Sequence, residues 1–448
     1  MQELDPEMSR SPFVSIIIPT HNRSVVLQRS LGALGSQTYP VELTEVLVVA
    51  DGCTDGTVET LRQYEAAFTL RVLEQTQQGP AQARNYGASC AKGSLLIFLD
   101  DDIEASPSLV EAHVKAHEQL PGCVAIGYLP LRLPKIDGFL DIELRGWWER
   151  MFQVMRQPGH RFTYRDLLTG NVSIEMETFR GIGGFNPTLW CHEDYELGIR
   201  LIKLGVALLF VEEALGYHYE KTDFDRVLER KYQEGIADVV IGQLHPDLRR
   251  RLPLSRLRFS RSRSNRALCN LAFRWPKTGK KFVACLRWEL GPLEKLRFRW
   301  RWRYIVDKIL CYFYWLGVVK ELGSLRALND FLKDGLSDTQ RKDGEVEIDL
   351  REGLEAAERR LNEERPESLR IRYGKELIGR ILPEPGVERL QGCHLRQILR
   401  NEFSGPLVKA LILEGGIDFG IDTDKLLSTY SLESTKPGVL PWDASVET

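Results

Sequence analysis

Three consecutive aspartates, Asp100, Asp101 and Asp102, close the apolar run in "SLLIFLDDDIEASP". Like charges side by side repel, so such a run calls for a positive partner. Carboxylate oxygens at the mouth of a cleft suit a hard divalent cation, Mn or Mg, that also reaches a substrate diphosphate. Asp100 and Asp102, one residue apart at a strand end, offer two such ligands, whereas capping a helix near Pro107 would need one aspartate. Two other loops carry what a nucleotide needs. "PTHNR", with Pro19, Thr20, Asn22 and Arg23, offers a fixed turn, backbone amides and a cation. "ADGCTDGT" puts Asp51 where a carboxylate could accept from a base N–H or a ribose hydroxyl, and "GPAQARN" adds Arg84, a planar donor suited to phosphate or base edges.

The elements that must position these residues follow one rhythm. "FVSIIIP", "EVLVVA", "LRVLE" and "SLLIFLD" are short β-branched apolar runs, each followed by a helical pattern, near Ser24–Ser36, Thr54–Ala66, Pro80–Lys92 and Pro107–His117. Continuous apolar strands alternating with helices predict a mostly parallel sheet covered on both faces. Ligands of such sheets bind beyond the carboxyl ends of the strands, where the three loops lie. Further on, "LLTGNVSIEMETF" predicts a strand and a helix start at Glu177. In "HEDYELGIRLIKLG", Leu197, Leu201 and Leu204 at helical spacing put Glu193 and Asp194 at a helix N-terminus. "VALLFVEEALGYHYE" supplies the last strands of this unit.

The series "VSIIIPTHNR", "VLVVADGCTDGT", "GPAQARNYGA", "LLIFLDDDIEASP", "GNVSIEMETFRGIGGFNP" and "HEDYELGIRLIKLG" resembles glycosyltransferase family 2, over roughly residues 12–220. The resemblance implies a GT-A fold, Rossmann-like, and a nucleotide-sugar donor. It implies that Asp51 contacts the base, that Arg84 and the loop Pro19–Arg23 face the nucleotide, and that Asp100 and Asp101 belong to the donor site. By the same resemblance Asp102 is the direct metal ligand with Asp100 beside it, and Asp194, next to Glu193, is the general base. Direct displacement at the anomeric carbon would then invert its configuration. His218 in "GYHYE" matches a place where some GT-A enzymes carry a metal ligand, and a structural histidine is the competing reading. Gly170 and Asn171 stand where the sugar or acceptor pocket begins. Trp190 and His192 could stack on a sugar ring or simply pack. Ala50, where many relatives have a second acid, and Cys53, where serine is common, depart from the pattern. Neither a dinucleotide GxGxxG after the first strand nor a GxxxxGK[ST] loop is present, which removes the dehydrogenase and P-loop readings.

The remaining sequence sets the frame. The chain has 448 residues, 43% hydrophobic and 27% charged, with a formal net charge of -3, the profile of an ordinary globular protein of several domains. Residues 249–303 hold 18 Lys and Arg against two acids, and "RFRWRWR" interleaves arginine with Phe298, Trp300 and Trp302. Basic and indole side chains together suit an anionic lipid surface, so residues 249–320 are a candidate peripheral membrane contact; a basic helical packing surface is the alternative. Nucleic acid is disfavoured because no recognised motif accompanies the charge. Eight scattered cysteines without zinc spacing, an acidic N-terminus and an apolar run of only eleven residues at Ile309–Val319 predict a reduced, cytoplasmic protein without a membrane span, possible at the inner membrane face. We therefore expect an α/β GT-A domain at 1–225, a basic, aromatic helical region at 226–335 and a small α+β accessory domain at 340–448. The expected activity is metal-dependent, inverting sugar transfer from a nucleotide sugar, a UDP-sugar in the first instance, to a glycan, polysaccharide or lipid-linked acceptor. A catalytically silent GT-A interaction scaffold is the alternative. Oligomeric state is not legible.

Overall fold

The structure, a computed structural model, describes residues 11–133, 135–219, 222–333 and 345–414. The acidic stretch before residue 11, the expected boundaries at 335 and 340 and the end of the C-terminal unit beyond 414 lie outside the described residues.

The first unit is built on eight strands: β1 Val14–Thr20, β2 Thr44–Asp51, β3 Thr69–Gln75, β4 Leu95–Leu99, β5 Ile103–Ala105, β6 Val124–Tyr128, β7 Asn171–Glu175 and β8 Leu208–His218. Seven helices accompany them: α1 Ser24–Leu34, α2 Thr57–Arg62, α3 Pro80–Cys90, α4 Leu109–Gln119, α5 Phe139–Met155, α6 Met176–Gly181 and α7 Glu193–Lys203. The strand order is β3-β2-β1-β4-β7-β6-β8-β5. β1, β2 and β4 are buried along nearly their whole length, as expected for parallel strands sandwiched between helices. Sequence reading expected a mostly parallel sheet, and β1 to β4 pair that way. β7, however, enters antiparallel between β4 and β6, and β5 pairs antiparallel with β8. α2 begins only at Thr57, not Thr54, because Gly56 before it holds a left-handed φ of 82°.

The second unit is helical: α8 Phe224–Leu244, α9 Pro253–Arg258, α10 Arg263–Arg274, α11 Pro276–Lys295, α12 Arg299–Leu322 and α13 Leu325–Lys333. One buried apolar cluster runs from Val14 of β1 through Leu228 of α8 to Trp315 of α12, so these helices share the core of the sheet. Among the described residues no helix is long and apolar enough to cross a membrane.

The third unit carries β9 Glu345–Asp349, β10 Ser368–Tyr373 and β11 Glu376–Ile381, with α14 Leu354–Glu364, α15 Gly392–Asn401 and α16 Ser404–Leu413. β10 and β11 form a hairpin around Gly374, and β9 adds a parallel edge. This unit has its own apolar cluster around Leu369, Ile371 and Leu395. It touches the first unit through Glu388, whose carboxylate accepts from the Phe162 N–H at 2.8 Å, and through the Gly386 carbonyl, which accepts from the Tyr164 N–H at 3.0 Å.

Candidate active site

The carboxyl ends of β1, β2 and β4, the strand end at His218 and the N-terminus of α7 open onto one cleft of about 550 Å³. Pro19, Thr20, Arg23, Asp51, Arg84, Asp100, Asp101, Asp102, Gly170, Trp190, His192, Glu193, Asp194 and His218, read from separate stretches of sequence, all line it. α3 is seated close to the sheet because Gly87 faces Ile17: a Cβ there would lie 2.5 Å from Ile17 Cγ2. Pro80 opens α3 at a position that needs no N–H.

The three aspartates find their positive partners within the protein. Arg23 Nη1 donates to Asp101 Oδ1 at 2.9 Å and to Asp102 Oδ2 at 2.7 Å. Arg84 is buried, 4% exposed, and bridges Asp100 Oδ1 and Glu193 Oε1, both at 2.7 Å. His218 Nε2 lies 3.3 Å from Asp102 Oδ1. Asp101 also accepts from Thr20 Oγ1 at 2.7 Å, and its backbone carbonyl accepts from Ser30 Oγ. Burial pushes the Asp101 carboxyl up to about 6 against the pull of Arg23. Burial also acts to raise Asp102, but His218 and Arg23 outweigh it and hold that carboxyl at about 2. The middle aspartate is thus an anchor for the loop and the third is a fixed anion.

A divalent cation fits here in part. Asp102 Oδ1 is buried, has no hydrogen bond and faces the His218 imidazole, an oxygen and nitrogen pair acceptable to Mn and less so to Mg. Among the described residues no three His, Cys, Asp or Glu side chains gather as a ready ligand set, because Asp100 is turned onto Arg84. Remaining positions would fall to diphosphate oxygens and water, as is usual for such ions.

Other predicted residues take more specific positions than sequence suggested. Asp51 accepts from Gln75 Nε2 and from the N–H groups of Gln78 and Gly79, at 2.7, 2.7 and 2.9 Å, so it closes the loop before α3 while lining the cleft. Asn22, at φ 54°, accepts from the Thr54 N–H at 2.7 Å and stands at the rim between His21 and Arg23, which line the cleft. Trp190 is half exposed and packs over Gly79, where a Cβ would sit 3.3 Å from the indole. Asn171 is a correction: it is fully buried, with Oδ1 on His113 Nε2 at 2.8 Å and Nδ2 donating to the Ala214 carbonyl at 2.7 Å. It pins β7 to α4 and β8; Gly170, just before it, stays at Asp100.

Asp194 stands in the first turn of α7, its Oδ1 accepting from the Tyr195 N–H at 2.8 Å. Burial and the adjacent Glu193 carboxylate push its carboxyl up to about 7, with His192 and Arg84 acting the other way. Sequence reasoning missed Trp148, edge-on to His218 at 5.1 Å, and Asp238, whose carboxylate faces His192 Nδ1 at 3.2 Å. Nothing local marks either; both arrive on helices distant in sequence.

The mixed sheet, the aspartate run at its carboxyl edge and the Glu-Asp pair at a helix start define a GT-A domain. Residues 15–182 match the model of glycosyl transferase family 2, and residues 149–222 match a model described as an N-terminal domain of galactosyltransferase. Among similar proteins, validoxylamine A glucosyltransferase of Streptomyces hygroscopicus subsp. jinggangensis is 34% identical over 276 residues, covering 54% of this chain and 63% of the relative. Glycosyltransferase AglE of Haloferax volcanii is 28% identical over 246 residues, covering 53% of this chain and 76% of the relative. The chain thus spans less than two thirds of the Streptomyces relative. A mannosyltransferase from Pyrobaculum calidifontis, solved with GDP-Man and Mn2+, superposes with a TM-score of 0.44 at 16% identity, over 68% of this chain and 86% of that one.

Proposed function

We propose that this protein is an inverting glycosyltransferase that moves a sugar from a nucleotide-sugar donor, a UDP-sugar in the first instance, to an acceptor hydroxyl. The observation that carries the reading is the convergence of Asp51, Arg84, Asp100, Asp102, Glu193, Asp194 and His218 on one cleft. In this reading the loop from Pro19 and the Asp51 region hold the nucleoside, and Asp102 with His218, Asp100 alongside, would hold a Mn or Mg ion. When bound, that ion supplies countercharge to the diphosphate. Asp194 takes the proton from the acceptor hydroxyl as the new C–O bond forms at the anomeric carbon and the bond to the diphosphate oxygen breaks. Attack opposite the leaving group inverts the centre. Arg84 pairs with both Glu193 and Asp100, while burial and the Glu193 charge raise the Asp194 carboxyl toward neutral pH.

The proposed organisation is a transferase domain at 1–225, helices at 226–335 and an accessory unit at 340–448. The acceptor is a hydroxyl of a glycan, a polysaccharide or a lipid-linked saccharide. Exposed Trp275, Phe282, Trp288, Trp300 and Tyr304 crowd into α10 to α12 among surface Lys and Arg, which supports a peripheral contact of this region with anionic lipid, at the cytoplasmic face. Sedimentation with anionic vesicles, weakened by salt and by Trp288→Ala with Trp300→Ala, is the expected result; no sedimentation rejects the contact.

The main test is a panel of nucleotide sugars titrated with and without Mn. Mn-dependent binding and slow donor hydrolysis are expected. If no nucleotide sugar binds, the silent scaffold is the better reading.

A further inference from the structure

Beside the cleft lies a second cavity that the chemistry above does not use. Its volume, about 320 Å³, sits at the small end of ligand sites, which run roughly 300–1,000 Å³. Arg23, Trp148, His192 and Tyr195 line both spaces, so the two meet along the start of α7. Asp194, between the last two in sequence, lines the cleft. Much of the far wall belongs to α8 and α12, including Val227, Asp238, Leu310 and Tyr314. Those residues lie beyond 222, where the matches to both family models end.

The chamber combines aromatic faces with fixed polar atoms. Trp147, Trp148, Tyr164, Tyr195 and Tyr314 supply the faces. Asp238 is 2% exposed; its Oδ2 accepts from Tyr314 Oη at 2.6 Å and its Oδ1 faces His192 Nδ1 at 3.2 Å. His192 stacks on Tyr195 at 4.3 Å and holds φ 59°, a left-handed conformation that persists in a non-glycine residue only where the surroundings enforce it. The α8 carboxylate is one such constraint, and it fixes the passage between chamber and cleft.

We propose that this chamber seats the acceptor, and that the acceptor presents one or two saccharide or cyclitol rings to it. The inference rests on the transferase reading and deepens it by naming the acceptor class. Ring polyols have apolar C–H faces that lie against aromatic side chains and hydroxyls that need placed polar partners. A cavity at the small end of ligand sites has room for a small ring system. An acceptor held there sends its hydroxyl past His192 and Tyr195 to Asp194.

Val227→Trp and Leu144→Trp add bulk from two different helices, and neither position lines the cleft. The full chain is supplied with a nucleotide sugar it binds and with glucose, maltose, lactose or myo-inositol as soluble probes. At least one probe is expected to be glycosylated, with its KM raised about tenfold or more in both variants while the Kd for the nucleotide sugar moves less than about twofold. Melting temperatures near that of the wild type establish that a variant is folded. If none of the probes is glycosylated or bound, or if KM is unchanged in a folded variant, the acceptor assignment is wrong. Donor binding with unchanged acceptor KM sinks this inference alone; absence of donor binding in the wild type sinks the transferase reading and this inference with it.

Discussion

In the proposed mechanism Asp102 and Asp194 carry separable duties, and their substitutions should separate. Asp102→Ala removes the buried oxygen that faces His218 and leaves Arg23 with one carboxylate partner fewer. Nucleotide-sugar affinity measured with Mn by calorimetry should fall at least about tenfold. Asp194→Asn keeps the shape but not the base, so donor affinity should hold while turnover falls roughly 10²- to 10⁴-fold. The raised Asp194 carboxyl, near 7, also fixes a pH limb. The base works deprotonated, so kcat/KM should climb as pH rises through neutrality and level off above it. Glu193→Gln removes the neighbouring negative charge that helps hold Asp194 up, so the limb should move to lower pH; an unmoved limb would assign it to another group.

At the level of elements, the seat of α3 on β1 decides where Arg84 stands. Gly87 has no Cβ because Ile17 occupies that space. In an open helix Gly87→Ala would gain about 1 kcal/mol of helix propensity. Overpacking a tight contact costs about 1–3 kcal/mol, so the substitution should be net destabilising, read as a lower urea midpoint with unchanged m-value. A stabilised variant would show that the helix shifts freely. These elements were largely legible beforehand: the β-branched runs at Val14, Thr44 and Leu95 and the Pro80 start of α3 declare themselves by local sterics. β7 was legible as a strand but not in its direction, because "GNVSIE" alternates the same way whether it runs up or down the sheet.

Across the whole molecule, the C-terminal unit supports the segment 160–166 that leads into the chamber. Glu388 is buried and accepts from the Phe162 N–H, while its backbone carbonyl accepts from Arg161 Nε at 2.9 Å. Glu388→Ala strands the Phe162 N–H in a buried place, a loss of about 1–3 kcal/mol. Chemical denaturation should report that loss, and Glu388→Gln, which keeps an acceptor oxygen, should recover most of it. Equal losses in both variants would assign the effect to charge, not to the hydrogen bond. Nothing local in the sequence signals this contact, since 226 residues separate its two ends.

What the sequence determined by itself was the set of chemical groups and the strand ends that hold them. Asp51, Arg84, Asp100, Asp102 and Asp194 were recognisable because carboxylates and arginines gathered at the ends of apolar strands are costly to keep unless something charged or polar binds there. Tertiary structure alone decided their partners: Arg23 on Asp101 and Asp102, Arg84 between Asp100 and Glu193, and Asn171 buried on His113 and the Ala214 carbonyl. It alone made the chamber, since Asp238 reaches His192 and Tyr314 reaches Asp238 only when α8 and α12 pack beside the sheet. Local sterics act over a few residues and can be read from them; charge pairing and cavity shape depend on which distant side chains the packed core brings together.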